Sequence, residues 1–301
     1  MSYPLLRELV ELLSLALEGV RVLNLAGIHL EGEVREVDDV AEADLVLCKA
    51  RDLAEGNLLK ELSDKLGESS IAIVVDMGYR VFLRPAIVRD LASSGLGIAY
   101  VFADHLPAIV YRKGYSDEFA SRAISIWRDS MKLGPMPISV NAAKALYAIT
   151  KLVASKRGGR VVEIGTGLGF STMFLAHACA EARAKLVSIE VREDRASYAL
   201  KALEGAGLSD VVSVVVGDAK SLNYGSRDMV LAFIDGKKEE YCSYLESLEP
   251  FLAPRAMLLA HNTLSHPHLV ASYIARVYRG SYRSLTIAVD PSGLTMSVRL
   301  A

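Results

Sequence analysis

The chain contains no glutamine and only five asparagines among its 301 residues. Side-chain amides are lost on heating. Their scarcity beside abundant Val, Ala, Leu, Arg and Glu is the composition expected of a thermophile's protein, a genomic composition bias being the other reading. Cysteine is also scarce. Cys48, Cys179 and Cys242 lie far apart with no metal-ligand spacing, which excludes a disulfide scaffold and fits reduced thiols in a cytoplasmic protein. No apolar run is long enough to span a membrane. No Lys/Arg block interrupts a chain of net charge −2, so nucleic acid is not an expected partner. The opening "MSYPLLRELVELL" carries Glu8 and Glu11 at helical spacing and reads as an amphipathic helix, not a leader peptide.

What is present is apolar and alternating. At 51% hydrophobic the chain can bury the cores of two domains. From residue 139 onward strands and helices alternate. A helix over 139–155, capped by Ser139, precedes strand 160–165, helix 170–182, strand 186–190 and helix 193–205. Strands 211–216 and 229–234, helix 238–252, strand 256–260 and helix 267–279 follow. Strands 284–289 and 294–299, joined by "DPSG", form a hairpin. This order predicts an α/β fold with a mostly parallel, doubly wound sheet and one antiparallel strand from the hairpin.

In such sheets ligands sit beyond the carboxyl ends of the strands. Polar residues collect there: Glu163 and Gly165 at the first exit, then Glu190, Asp218, Asp235 and the pair His261-Asn262. The first exit leads into Gly165-x-Gly167-x-Gly169. A dinucleotide fingerprint would want its third glycine at position 170, which is Phe170, and no Walker Gly-Lys-Ser/Thr is present. The loop therefore suits a nucleoside with a bulky tail lacking phosphate. Glu190, 21 residues beyond Gly169, is placed to accept two ribose hydroxyls, and Asp218 to accept from an adenine amino group.

With these residues in order, 132–301 resembles a class I S-adenosylmethionine-dependent methyltransferase of the catechol and caffeoyl-CoA O-methyltransferase type. The segments that carry the resemblance include "VVEIGTGLGFSTMFLA", "LVSIEVREDRASYALKALEGAGL", "VVVGDAK", "FIDGKKEEYCSYLESLEPFLAP", "HNTLSH" and "IAVDPSGLTMSVRL". The resemblance implies a seven-stranded sheet with a reversed C-terminal hairpin. It implies that Gly165, Gly167, Gly169 and Ser171 cradle the methionine part, that Glu190 holds the ribose and that Asp218 and Ala219 edge the adenine. Asp235 would lie under the methionine end, and Lys238 would be the catalytic lysine, with Lys237 its rival and Tyr241 a wall residue. Glu163 belongs to the same motif.

The resembled family also binds a divalent cation through the acid of "FID", here Asp235, and an Asp-Asn pair that here reads His261-Asn262. Imidazole favours softer metals than Mg²⁺. Three readings stay open: the metal is lost and His261 is a general base; a softer metal is held by Asp235, His261 and Asn262; or activity has decayed and a binding fold remains. His266 and His268 read as surface-loop residues. The expected reaction is in-line methyl transfer to a small-molecule oxygen acceptor. An inactive scaffold is the alternative, and an RNA or protein methyltransferase a second. A homodimer is expected of the fold.

Residues 1–115 lack a glycine loop and read as a smaller α/β domain. Its pattern lies over 211–300: "ADLVLCKA" over "RDMVLAFI", "SIAIVVDMG" over "AMLLAHNT" (Asp76 on His261), and the hairpin near Asp104 over that near Asp290. The expectation is a degenerate repeat of the second half of the sheet, without the cofactor-binding first half. Residues 116–138 form a connecting helix and Gly/Pro-rich hinge carrying the only tryptophan, Trp127, expected to pack. The S-adenosylmethionine-binding domain is expected over 139–301.

Overall fold

The computed structural model describes residues 4–30, 33–55, 57–75, 85–101 and 108–300. Asp76 and Asp104 of the sequence comparison lie outside them. The chain divides into two compact units, Met1–Gly114 and Tyr115–Ala301.

In the first unit α1 (Pro4–Leu17) precedes β1 (Val20–Asn24), β2 (Val34–Glu36) and β3 (Leu45–Lys49). Then come α2 (Ala50–Glu55), α3 (Leu58–Lys65), β4 (Ile71–Val75), α4 (Pro85–Ser93), β5 (Leu96–Tyr100) and β6 (Ala108–Arg112). The apolar run "IAIVV" of β4 is buried at every residue, as a central strand covered on both faces requires. Leu62, Val46, Val74 and Val110 share one core with Cys48, whose thiol burial pushes up to about 12, so it stays protonated and inert.

The second unit runs α5 (Asp117–Leu133), α6 (Val140–Arg157), β7 (Arg160–Ile164), α7 (Phe170–Ala182), β8 (Lys185–Glu190), α8 (Glu193–Gly205) and β9 (Val212–Val216). It continues through β10 (Met229–Ile234), α9 (Tyr241–Leu248), β11 (Leu252–His261), α10 (Ala271–Arg279), β12 (Tyr282–Ile287) and β13 (Leu294–Arg299). The Ser139 hydroxyl accepts from the Ala142 N–H at 3.0 Å and so caps α6. That helix is buried along most of its length. It even buries Lys151, whose ammonium lies 2.8 Å from Glu181 on α7.

The seven strands of this unit lie in the order β12-β13-β11-β10-β7-β8-β9, and only β13 runs antiparallel to its neighbours. The reversal of order beside β7 opens a crevice at the strand exits, where the glycine loop and Glu190 emerge.

The six strands of the first unit lie in the order β5-β6-β4-β3-β1-β2, with only β6 antiparallel. This is the order and direction of the larger sheet with its third strand, β9, left out. The register of one pair agrees as well: Leu47 faces Ile73 as Leu231 faces Met257, each pair 26 residues apart. The sequence reading of a half-sheet needs correcting. Strands β1 and β2 occupy the places of β7 and β8, so two strands of the first half are present. Among the described residues no glycine loop and no helix lies between them. Only residues 25–33 connect β1 to β2.

Candidate functional site

At the first exit the strand ends and the loop begins under tight constraint. Gly165 has φ +99°, and a Cβ there would lie 2.5 Å from the carbonyl oxygen of Asp235. Its N–H donates to Ile189 O at 2.9 Å, while Asp235 N–H donates to Ile164 O at 2.9 Å. A residue without a side chain is therefore what lets β7, β8 and β10 converge here. Gly169 does not face the crevice. It lies against α8, so close that a Cβ would be 3.1 Å from that of Ala199.

Glu163, expected at the cofactor, is fully buried behind the loop. Its carboxylate accepts from the hydroxyls of Ser171 (2.5 Å), Thr172 (2.6 Å) and Ser188 (2.6 Å). Burial pushes it up to about 7, opposed by those three donors. Its part is to fix the first turn of α7, and with it Ser171, which does line the crevice. Alternation along β7 turns Glu163 to the face of the sheet where α7 begins, so its carboxylate meets the hydroxyls of that helix.

Glu190 ends β8. One carboxylate oxygen accepts from Gly167 N–H at 2.8 Å, and the other from Arg192 N–H at 3.1 Å. The side chain thus ties the glycine loop to the β8–α8 turn. Gly165, Thr166, Gly167, Ser171, Glu190, Asp235 and Lys238 line a cavity of about 360 Å³. A second cavity of about 250 Å³ shares Gly165 and Glu190 and extends to Asp218 and Ala219 at the exit of β9. Sequence reasoning missed several contributors to the first cavity, two of which bear on its wall. One is the stretch Pro135–Ile138, which Trp127 secures by donating its indole N–H to Ile138 O at 3.1 Å. The other is Tyr244. Tyr241, the residue expected at the wall, is instead buried, because a short 3₁₀ turn over Lys238–Glu240 sets the phase of α9.

Beneath the cavity floor lies a cluster of charges. Asp235 Oδ1 is 3.2 Å from the Lys238 ammonium and 3.6 Å from His261 Nδ1. The other ring nitrogen of His261, Nε2, is 3.2 Å from Asp290 Oδ2. Asp290 sits in the hairpin turn, where Oδ1 also accepts from the N–H groups of Ser292 (2.9 Å) and Gly293 (3.2 Å). The buried Tyr241 hydroxyl donates to His261 O at 3.1 Å.

Burial alone would pull the His261 pKa down. The facing carboxylates of Asp235 and Asp290 outweigh it and push the imidazole up to about 9. Burial would raise Asp290, but His261 and the hydrogen bonds hold it down at about 2. Asp235 is likewise held low, burial being outweighed by His261 and Lys238.

This geometry does not favour His261 as a general base. It is 4% exposed, does not line the cavity, and faces two carboxylates that push its pKa up to about 9. The expected metal set is not assembled either. Asn262, at φ +61°, turns its amide nitrogen toward Ser265 Oγ at 3.4 Å. Among the described residues no group of three or more His, Cys, Asp or Glu side chains is placed to hold a metal. The donors that face one another, an imidazole and a carboxylate already beside an ammonium, do not fit a divalent cation. His266 keeps to an exposed loop, its Nδ1 2.8 Å from Ser265 Oγ.

The family described as "Methyltransferase domain" matches residues 162–263, from β7 through the end of β11. A catechol O-methyltransferase of Mycobacterium tuberculosis is 34% identical over 134 residues, 43% of this chain and 58% of that protein. A protein-L-isoaspartate O-methyltransferase of Pyrobaculum islandicum is 30% identical over 90 residues, 29% of this chain and 43% of that protein. The chain thus spans about half the length of the curated relatives it matches. The solved O-methyltransferase of Bacillus cereus in complex with SAH overlays with a TM-score of 0.52 at 21% identity, covering 62% of this chain and 92% of that one. The methyltransferase fold is thereby placed on the second unit, and the cavities described above lie at the carboxyl edge of its sheet. No helix among the described residues is long and apolar enough to cross a membrane.

Proposed function

We propose that the methyltransferase domain transfers a methyl group from S-adenosylmethionine to an oxygen of a small molecule. The observation that carries this reading is the pair of adjoining cavities sharing Gly165 and Glu190, one running to Asp218 and Ala219, the other to Ser171, Asp235 and Lys238. In this reading Asp218 and Ala219 take the adenine, Glu190 the ribose hydroxyls, and the loop with Ser171 the methionine part. The cofactor supplies an electrophilic methyl on a sulfonium. The acceptor lies against Pro135–Ile138 and Lys238, whose ammonium stabilises negative charge on the attacking oxygen. Oxygen as acceptor is supported by the names of the relatives, each an O-methyltransferase.

Calorimetric titration of S-adenosylmethionine into the full chain tests this. A Kd in the micromolar range, about −8 kcal/mol, is expected. Glu190→Gln should weaken binding roughly tenfold or more, since hydrogen bonds to a charged group contribute about 1.5–3 kcal/mol. No binding by the folded protein would refute the reading and leave a scaffold.

For the chain as a whole, the reading is a domain over 139–301, joined by 116–138 to an N-terminal domain, 1–115, that is a degenerate copy of the same sheet. Shared strand order and direction support that relation. A cytoplasmic, heat-adapted homodimer completes the reading. The absence of glutamine supports the heat adaptation.

A further inference from the structure

We infer that His261, held between Asp235 and Asp290, supplies as an imidazolium the positive charge that a divalent cation would bring to this position, so that the site works without a metal. The inference rests on the methyltransferase reading above. Its ground is geometry.

Both ring nitrogens of His261 face carboxylate oxygens, Nε2 at 3.2 Å from Asp290 and Nδ1 at 3.6 Å from Asp235. A neutral ring would turn a lone pair toward one of these carboxylates. Only the doubly protonated ring presents N–H to both. The Nδ1 contact is too long for a hydrogen bond, and Nδ1 is buried with no hydrogen-bond partner, so what it offers Asp235 is the charge of a protonated ring. The residue is nearly sealed from solvent, so the pair is poorly screened.

The charges support the same conclusion. An aspartate with a divalent cation sums to +1, and one imidazolium carries +1. A single histidine at the end of β11 thus keeps the local charge while removing the ligand that a cation would need. Asp235 then has His261 behind it and Lys238 at 3.2 Å on the cavity side. His261 is a positioning residue in this arrangement. It holds Asp235 ionised and fixed so that Asp235 can orient Lys238. A site of this kind has no chelated ion and makes no demand for a vicinal diol in the acceptor.

The test uses the full chain and Mn²⁺ as probe. Wild-type protein, with and without S-adenosylmethionine, is titrated with Mn²⁺ and free ion is read by electron paramagnetic resonance. Cofactor affinity is measured in parallel with and without a chelator. No stoichiometric Mn²⁺ binding and unchanged cofactor affinity are expected. His261→Asp, which places a carboxylate next to Asn262, should gain Mn²⁺ binding by tenfold or more. Should that variant fail to fold, ¹⁵N shifts of the wild-type histidine ring at pH 7 give an independent reading, with both nitrogens protonated. One equivalent of Mn²⁺ bound by the wild type, a neutral His261 ring, or a folded His261→Asp protein with no gain would each overturn the inference. Cofactor binding in the same samples separates that failure from failure of the methyltransferase reading.

Discussion

Gly165→Ala should be far more damaging than Gly167→Ala, although both glycines lie in one loop at positive φ. At Gly165 φ is +99°, outside the small region that L-residues tolerate, which costs about 1–3 kcal/mol. The added Cβ would also lie 2.5 Å from Asp235 O and 2.8 Å from Asp235 C. Those atoms cannot give way easily, because Asp235 N–H is bonded to Ile164 O and Gly165 N–H to Ile189 O. Relief requires parting the exits of β7 and β10. Together these effects should remove about 3–5 kcal/mol of stability, the range of the most severe single substitutions. At Gly167 φ is +56° and the nearest atom to a Cβ is Pro135 Cβ at 3.5 Å, an ordinary contact, so the cost is about 1 kcal/mol. Melting of the purified proteins, followed by near-UV circular dichroism, should show a fall of roughly 10 °C for Gly165→Ala and about 3 °C for Gly167→Ala. Equal shifts would refute the claim that the convergence of strand exits, rather than loop flexibility, requires the first glycine.

Three further outcomes are expected. Lys151→Met should destabilise by about 1–3 kcal/mol, because Glu181 loses the ammonium but keeps the Tyr147 hydroxyl and some solvent, while Lys151→Met with Glu181→Leu should recover much of that loss; a denaturant melt of each measures it. Because the folded pKa of His261, about 9, lies above its ordinary 6.5, its contribution to stability is full below 6.5 and is lost as pH rises through 9. The melting temperature of the wild type should therefore fall between pH 7 and 10 more than that of His261→Gln, and parallel profiles would contradict the buried ion pair. Calorimetry should give one S-adenosylmethionine per chain, since the first unit has no glycine loop; two sites would mean that the smaller sheet still binds nucleoside.

Much of the second unit was legible because its signals are local. Apolar runs ending in acids set β8 and β10, and the helices over 170–182 and 193–205 fall where the periodicity puts them. Boundaries slipped where tertiary pairing decides. Strand β11 starts at Leu252, ahead of Pro254 and before its apolar run, because it pairs there with Met229. The helix expected over 238–252 is α9 flanked by 3₁₀ turns, with Pro250 in the second. Strand β2, "VRE", has no apolar run and is defined only by its pairing with β1. In the site, Glu190 and Asp235 were readable as strand exits. That Glu163 is sealed behind the loop was not, because an acid at a strand end reads the same whichever face it occupies. Nor was the partner of His261, since Asp290 is 29 residues away and reaches it only when β11 and β13 pair.

The two sheets separate what strand order contributes from what the site contributes. Both have the same order and directions over six strands, so both have a reversal beside their first strand, where a ligand crevice is expected. Between β7 and β8 the chain runs through a glycine loop and α7, whose first turn Glu163 fixes through three hydroxyls. Between β1 and β2 it has only residues 25–33, with no helix among the described ones to present N–H groups to a ligand. Asn24 at that exit instead bonds to the backbone of Ile28 in both directions and closes the turn on itself. The third strand, whose exit carries Asp218 and Ala219 in the larger sheet, has no counterpart among the described strands of the smaller one. Among its described residues the smaller sheet thus lacks the elements that hold either end of a nucleoside in the proposed reading, although its topology would admit one. In the proposed reading, nucleoside binding follows from the loop and the strand-exit side chains, not from the order of the strands.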